Sequence, residues 1–349
     1  MKAAVFVEPG KVEVKEVEKP KIDGENQAII RVIRASVCGS DLWWFRGIAD
    51  RESGSLIGHE AIGVVEEVSD DVTDIKPNDF VIVPFTHGCG HRVACINGFE
   101  GNCLNQKSGT NGGYQAEYMK YQPANSGLVK IPGKPEDYTD DQLASLQTLS
   151  DVMATSYHAA LNAEVKPGYT VAVIGDGAVG LAGVIGAKLL GAEKIILLSH
   201  HDDRAQLDKE FGATDIVSSR DEEAVKDVLA LTKENAGADA VLECVGAESA
   251  IEHAGQIACP GAVIGRVGVP HAEPKSNQLF WKNVGLRGGI ASVTKPDKEV
   301  LLQAVLDGKI NPGKVFTKSF DLDHIQDAYK AMSNRDAIKS LIITNRERK

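Results

Sequence analysis

One stretch of the chain, residues 171–180, restricts the fold more than any other, because it reads V-A-V-I-G-D-G-A-V-G. A short run of β-branched and small apolar residues predicts a buried parallel strand, and a helical pattern begins within the glycine motif that follows. Gly175 permits the tight turn, Gly177 lets a pyrophosphate approach the backbone, and Gly180 lets the helix pack closely. The residues expected to bind a dinucleotide here are Gly175, Gly177, Ala178, Val179 and Gly180. Glycine spacing alone is a weak signal, so other features must support it.

Length and composition limit the possible classes of protein. A chain of 349 residues suits two domains, and a hydrophobic content of 43% is that of a globular protein. No apolar run reaches the roughly 18 to 20 residues of a membrane span, and the start lacks signal-peptide features, so a soluble, cytoplasmic protein is expected. A net charge of −11 with scattered basic residues argues against nucleic-acid and membrane partners. The six cysteines are then expected to be reduced thiols or metal ligands.

Two kinds of secondary-structure pattern divide the chain. Alternating apolar residues with frequent turns predict a barrel-like β domain, with strands at 3–7, 12–16, 27–35, 61–68 and 79–84. Residues 86–111 predict an irregular lobe, and helices are expected at 139–149 and 151–161. Strand–helix units then follow at 171–190, 195–211, 215–232 and 240–258, with strands at 262–267 and 284–290. This alternation predicts a doubly wound parallel sheet. The tail predicts helices at 298–306 and 325–332 and a strand at 340–344.

Three separated residues carry the donor types of a catalytic zinc site. Cys38, His59 and Asp151 supply a thiol, an imidazole and a carboxylate, which can hold zinc with an open coordination position. Each residue alone is more simply explained as a buried thiol or a structural side chain. Their occurrence together with a dinucleotide loop favours the metal site.

The sequence resembles the zinc-dependent medium-chain alcohol dehydrogenases over essentially its whole length. The matching motifs are Cys38-Gly39-Ser40-Asp41, Gly58-His59-Glu60, Asp151 at a helix start, and the glycine loop. The resemblance implies an α/β protein in which a GroES-like β-rich catalytic domain (1–154 with 291–349) accompanies a Rossmann domain with a doubly wound parallel sheet (155–290). It also implies reversible hydride transfer between an alcohol carbon and a nicotinamide, with zinc as the Lewis acid.

The resemblance further assigns roles to individual side chains. One catalytic zinc per chain would be held by Cys38, His59 and Asp151, with Glu60 as an additional ligand in some states. Asp41 would orient His59, and Ser40 would touch the substrate oxygen and pass its proton outward.

Three departures from the family pattern are informative. Trp43 stands where many relatives have a relay histidine, and with Trp44 it is either core packing or a pocket wall; Phe85 is a weaker pocket candidate. Ser156 replaces a usual glycine, with two possible effects: crowding of the cofactor or adjustment of the pocket.

The structural zinc site of the family also departs from its pattern. The family holds this ion with four cysteines, and the corresponding residues here are Cys89, Arg92, Cys95 and Cys103. Charged arginine cannot bind zinc. Recruitment of His91 or His87 is possible, but an empty or weakened site is the simpler expectation.

The end of the second parallel strand bears on cofactor choice. Enzymes that prefer NAD place an acid there, and the spacing puts Ser199 at that position. Ser199 and His200 could donate to a 2′-phosphate, and His201 or Arg204 could add charge, so NADP(H) is predicted over NAD(H). The alternative is that Asp202 or Asp203 reaches back to serve NAD.

These observations favour an NADP(H)-dependent alcohol dehydrogenase or carbonyl reductase for small secondary alcohols, ketones or aldehydes. The alternatives are an NAD(H)-dependent polyol or sugar-alcohol dehydrogenase, which Trp43 and its aromatic neighbours oppose, and a non-catalytic dinucleotide-binding protein. A homodimer or homotetramer is implied by the resemblance alone.

Overall fold

A computed structural model describes every residue except 106–111, 202, 203, 270, 272, 273, 275, 292 and 346–349. The strands are β1 (Lys2–Glu8), β2 (Lys11–Glu16), β3 (Ala28–Ser36), β4 (Ala61–Val68), β5 (Phe80–Val83), β6 (Tyr118–Tyr121), β7 (Val129–Ile131), β8 (Thr170–Ile174), β9 (Lys194–Leu198), β10 (Asp215–Val217), β11 (Ala238–Glu243), β12 (Ala258–Arg266), β13 (Gly285–Gly288), β14 (Phe316–Asp321) and β15 (Lys339–Ile343). The α-helices are α1 (Asp41–Phe45), α2 (Val93–Ile96), α3 (Ala124–Gly127), α4 (Asp140–Thr148), α5 (Val152–Asn162), α6 (Ala178–Leu189), α7 (Ala205–Phe211), α8 (Asp221–Ala230), α9 (Glu248–Ile257), α10 (Ser276–Trp281), α11 (Lys295–Leu306) and α12 (Ile325–Ser333). Within this described part, no helix has the length and apolar character needed to cross a membrane.

The chain divides into two compact units. The first comprises Met1–Asp151 and Ser292–Lys349, and the second comprises Val152–Ala291. The first unit contains the antiparallel β1–β2 pair and a mixed sheet in the order β14-β15-β3-β4-β5-β7, with β6 paired to β3. Its sheet therefore joins strands from both ends of the chain.

The second unit is built on a parallel sheet in the order β10-β9-β8-β11-β12-β13. Its strands are largely buried runs such as Thr170–Ile174, as expected for a sheet covered on both faces. The strand order reverses beside β8, since β9 pairs on one side of it and β11 on the other. The glycine loop follows β8 and lies at this switch point, the usual ligand position in such sheets. The predicted doubly wound sheet is confirmed.

The aromatic residues after the Cys38 motif contribute to the core of the first unit. Trp44 is 7% exposed and packs against Phe6 and Tyr329, with ring centroids 5.2 and 5.3 Å away. Phe45 also contacts Tyr329, at 5.2 Å. The tryptophan pair was expected to be either core packing or a pocket wall. Trp44 is core packing, whereas Trp43 is only partly buried.

Most predicted elements are present within a few residues. Helix α4 begins after Thr139 because the Thr139 side chain accepts from the Gln142 N–H while Gln142 reaches back, a capping box. The prediction omitted the strands β6, β7 and β14 and the short helices α1, α2, α3 and α10. Strand β14 is mostly polar and partly exposed, and β7 has only 3 residues, so neither carries a strong alternating signal.

Candidate functional site

Sheet pairing in the first unit brings the predicted metal-binding residues together. Strands β3 and β4 pair antiparallel with Ala35 opposite Ala61, so Cys38, just after β3, lies near His59, just before β4. The turn before Asp151 is tied to the end of β5, because the Phe85 N–H donates to the Ser150 carbonyl at 3.2 Å. Residues far apart in the chain thus meet where the neighbouring strands β3, β4 and β5 begin or end.

The mixed-ligand cluster consists of Cys38, His59, Glu60 and Asp151. One donor atom from each lies within 4.8 Å of all the others. The Asp151 Oδ2 atom is 3.5 Å from Cys38 Sγ and 3.4 Å from His59 Nε2. Sulfur, imidazole nitrogen and carboxylate oxygen at this spacing form a donor set that fits zinc. Burial and the nearby carboxylates of Asp151 and Glu60 raise the pKa of the Cys38 thiol.

Asp41 supports the cluster from the first residue of α1. One of its oxygens accepts from the Cys38 N–H at 3.0 Å, and the other lies 3.5 Å from His59 Nδ1. The imidazole therefore presents Nε2 to the cluster, as a carboxylate partner does for a metal-binding histidine. Burial alone would lower the pKa of His59, but the charge of Asp41 and the contact with Asp151 raise it well above its ordinary value.

Lys339 holds Glu60, and no sequence pattern indicated it. Lys339 is 1% exposed, and its Nζ donates to Glu60 Oε1 and to the Val37 carbonyl, at 2.8 and 2.9 Å. Ser36 donates to the other Glu60 oxygen. Burial raises the pKa of Glu60, and the charge of Lys339 opposes that rise. The available signal was a lysine two residues before the apolar run Leu341–Ile343 of β15, since an unpaired buried ammonium is costly.

Two further residues lie near the cluster. Ser40 is the N-cap residue of α1, is exposed, and makes no side-chain capping bond, so its hydroxyl is not used to start the helix. The ring of Phe85 lies beside that of His59, with centroids 5.7 Å apart. Phe85 is therefore an apolar neighbour of the cluster.

The glycine loop of the second unit has the shape of a phosphate cradle. Gly175 has φ +110°, a conformation that favours glycine. A Cβ on Gly180 would lie 1.8 Å from the Gly175 carbonyl oxygen, so the close packing of α6 on its own loop requires glycine. A Cβ on Gly177, the N-cap residue, would meet nothing within 4 Å. Open space at the N-terminus of a long helix fits a dinucleotide pyrophosphate.

The end of β9 gathers the residues assigned to the cofactor ribose. We call them the strand-end group: Ser199, His200, His201 and Arg204. All contact one residue that sequence reasoning did not single out, Asp176, inside the glycine loop. An acid in a phosphate-binding loop was the signal that could have revealed it. The alternative acids, Asp202 and Asp203, lie outside the described residues.

The thiol cluster of the irregular lobe consists of Cys89, Cys95 and Cys103, whose sulfur atoms lie within 4.8 Å of one another. Among the described residues, no histidine or carboxylate joins this group. The Nδ1 atom of His91 instead lies 2.8 Å from the Cys89 carbonyl oxygen. Burial, assisted by Lys298, lowers the pKa of His87 to about 4. Arg92 is exposed at the start of α2.

Ser156 takes a role that neither sequence interpretation included. It is fully buried, and its Oγ lies 2.7 Å from the Val152 carbonyl oxygen and 2.6 Å from that of Val179. The hydroxyl thereby joins α5 to the first turn of α6. Because Val179 belongs to the glycine motif, this contact also fixes the glycine loop to α5.

Known proteins match this chain along its length. The model of the alcohol dehydrogenase GroES-like domain matches residues 24–133, and that of the zinc-binding dehydrogenases matches residues 178–304. An uncharacterized zinc-type alcohol dehydrogenase-like protein of Bacillus subtilis (strain 168) is 32% identical, with 98% of this chain and 100% of that protein covered. The NADP-dependent isopropanol dehydrogenase of Clostridium beijerinckii is 30% identical, with 94% and 95% covered.

A solved structure agrees with these matches. The alcohol dehydrogenase TADH from Thermus sp. ATN1 superposes with a TM-score of 0.89 and 29% identity, covering 99% of this chain and 100% of that one. The chain therefore belongs to the zinc-dependent medium-chain alcohol dehydrogenase family. It is an oxidoreductase of the alcohol dehydrogenase class.

Proposed function

We propose that this protein is a zinc-dependent, NADP(H)-dependent alcohol dehydrogenase that also works as a carbonyl reductase. Its substrates would be small secondary alcohols and the corresponding ketones, or aldehydes. The observation that carries the proposal is the meeting of Cys38, His59 and Asp151 in one cluster. A thiol, an imidazole and a carboxylate are the donor types of a catalytic zinc site.

Zinc bound there would supply Lewis acidity toward an alcohol or carbonyl oxygen, and the nicotinamide would supply or accept the hydride. Asp41 keeps Nε2 of His59 turned toward the cluster. Lys339 and Ser36 donate to the two carboxylate oxygens of Glu60. Glu60 would be an additional zinc ligand in some states of the reaction. The exposed hydroxyl of Ser40 would exchange the substrate proton with solvent, because the indole of Trp43 cannot relay a proton near neutral pH.

The preference for NADP(H) is supported by the donors at the end of β9. Ser199 replaces the acid that would repel a 2′-phosphate, and Arg204 places a guanidinium in the same group. A relative at 30% identity is named an NADP-dependent isopropanol dehydrogenase, which agrees in both cofactor and substrate class.

The experiment is a metal-replacement assay with both cofactors. Stripping the metal should abolish NADPH-dependent reduction of a small ketone, and added zinc should restore it. A panel of ketones, aldehydes and polyols would follow on zinc-loaded protein. A clear preference for NADH would refute the cofactor assignment, and polyol oxidation with NAD would favour the second candidate activity. Cofactor binding without turnover on the whole panel would indicate a non-catalytic protein.

The domain limits at 154/155 and 290/291 and a homodimeric or homotetrameric assembly remain predictions. Sedimentation analysis of the zinc-loaded protein would determine the assembly, and a monomer would contradict it.

A further inference from the structure

An acidic side chain lies in the glycine loop, where a negative charge does not help phosphate binding. Asp176 stands between Gly175 and Gly177, next to the N-terminus of α6. A bound pyrophosphate and this carboxylate would both be anions, so the loop itself does not explain the choice of residue. Its side chain instead contacts residues at the end of β9, the strand that pairs with β8.

The strand-end group surrounds the Asp176 carboxylate with donors. Its Oδ2 atom lies 3.1 Å from Ser199 Oγ, 3.0 Å from the His200 backbone nitrogen and 2.6 Å from His201 Nδ1. The Arg204 Nη1 atom donates to Oδ1 at 3.1 Å and to the Asp176 carbonyl at 2.6 Å. Several donors on one carboxylate, one of them charged, are the arrangement of a bound anion.

Asp176, Arg204 and Ser199 are largely shielded from water, whereas His200 and His201 are more exposed. The side chains of Asp176 and Arg204 are 13% and 10% exposed, and Ser199 is 3% exposed. Burial would raise the pKa of Asp176, but His201, Arg204 and the His200 N–H lower it overall. The strand-end group is therefore already bound to an ionised carboxylate, that of Asp176.

A 2′-phosphate would need the same donors. In a Rossmann-type sheet the adenosine ribose binds at the end of the second strand, which is β9 here. The Ser199 hydroxyl and the His200 N–H each have one hydrogen to donate, so either Asp176 or the phosphate receives it in full. The guanidinium of Arg204 can serve both, but two anions at close range in a shielded site repel each other.

We propose that Asp176 is a specificity-determining residue for the nicotinamide cofactor, because its carboxylate competes with the 2′-phosphate for the strand-end group. The inference rests on the proposed function, since it assumes that a nicotinamide dinucleotide binds the glycine loop. The NADP(H) preference is then a balance in which the strand-end group attracts the phosphate and Asp176 opposes it. Removing the charge of Asp176 shifts that balance further toward the phosphorylated cofactor.

The test uses nucleotide binding, which does not depend on turnover. Adenosine 2′,5′-bisphosphate and 5′-AMP are titrated calorimetrically into the wild-type chain, Asp176→Asn and Asp176→Ser. The control variant is Glu193→Gln, which removes one negative charge at the opposite end of β9, where Glu193 is exposed. Circular dichroism and thermal midpoints check that each variant is folded. If Asp176→Asn does not fold, Asp176→Ser takes its place in the comparison.

The expected result is a gain in affinity for the bisphosphate alone. Asp176→Asn should bind adenosine 2′,5′-bisphosphate about tenfold more tightly, the scale of one charge-assisted hydrogen bond, while its affinity for 5′-AMP changes less than about threefold. Glu193→Gln should match the wild type. An unchanged or lower bisphosphate-to-AMP affinity ratio in a folded Asp176 variant would overturn the inference. If the wild type binds neither nucleotide, the proposed function fails first and the inference fails with it.

Discussion

The mixed-ligand cluster and the thiol cluster both gather sulfur donors in the first unit, but they differ in what surrounds them. Behind the mixed-ligand cluster lie buried charged partners, since Asp41 faces His59 and Lys339 binds Glu60. The thiol cluster has three sulfurs, and the fourth sequence position is an exposed arginine. A complete donor set with oriented partners is typical of a functional metal site. The comparison supports the proposal of one catalytic zinc site per chain and of a weak or empty second site.

The largest expected effect comes from making the same substitution in both clusters. Cys38→Ser should lower kcat/KM for ketone reduction by about 10³-fold or more, because a Lewis acid contributes several kcal/mol and each 1.36 kcal/mol is tenfold. Cys89→Ser should stay within about threefold of the wild type, on the scale of a surface change. Steady-state kinetics with NADPH measures both. Equal losses in the two variants would remove the distinction between the clusters.

The second prediction concerns the charge behind Glu60. Lys339→Met should lower the free energy of unfolding by about 3 kcal/mol, because it leaves a buried carboxylate without its cation. The double variant Glu60→Gln, Lys339→Met should recover part of this loss, and urea denaturation measures both. A Lys339→Met chain as stable as the wild type would show that the ion pair does not support the mixed-ligand cluster.

A buried lysine also lies near the thiol cluster, but its environment is different. Lys298 is 2% exposed, and its Nζ is 3.8 Å from Glu100 Oε2 and donates to the Val293 carbonyl at 2.7 Å. Burial lowers the pKa of Lys298 from 10.5 to about 8, and Glu100 only partly opposes this. For Lys339, burial also acts to lower the pKa, but the charge of Glu60 raises it above its ordinary value.

The pH dependence of stability should therefore reveal Lys298. Between pH 8 and 10.5 the unfolded chain binds more protons at this residue than the folded chain, so the contribution of Lys298 to stability rises with pH. The free energy of unfolding of the wild type minus that of Lys298→Met should increase across this window by up to about 3 kcal/mol. Denaturation at several pH values measures it. A difference that stays flat or falls would contradict the lowered pKa.

The smallest effect is expected at the carboxylate behind His59. Asp41→Asn should reduce zinc affinity or kcat/KM by about 10- to 100-fold, the usual range for a partner of a metal-binding histidine. His91→Gln, which alters a contact to the Cys89 carbonyl, is the matched change in the lobe and should leave kinetics unaltered. Equal effects of the two would indicate that Asp41 does not orient His59.

The sequence predicted the parts of the fold that depend on local pattern. Strand β8 with its glycine loop, the capped start of α4 and the alternation over 171–267 are visible as periodicity and turn chemistry, and all are confirmed. The gathering of Cys38, His59 and Asp151 followed from the family resemblance. Sheet pairing is a contact between distant segments, and composition does not reveal it.

Other features depended on partners that only the fold brings together. Lys339 and Glu60 are 279 positions apart, and Asp176 reaches the end of β9 from the preceding loop. In both cases the sequence showed only a charged residue in an unexpected place. The different roles of Trp43 and Trp44 likewise became visible only in the packed structure. Trp44 is buried against Phe6 in an aromatic core, whereas Trp43 is only partly buried.

The most direct test of the difference between the two clusters is the zinc content of purified, zinc-loaded protein. Metal analysis should give about one ion per chain for the wild type and for Cys89→Ser, and close to none for Cys38→Ser, since removing one donor opens the set. Two ions per chain, or one ion that is kept in Cys38→Ser and lost in Cys89→Ser, would contradict the account.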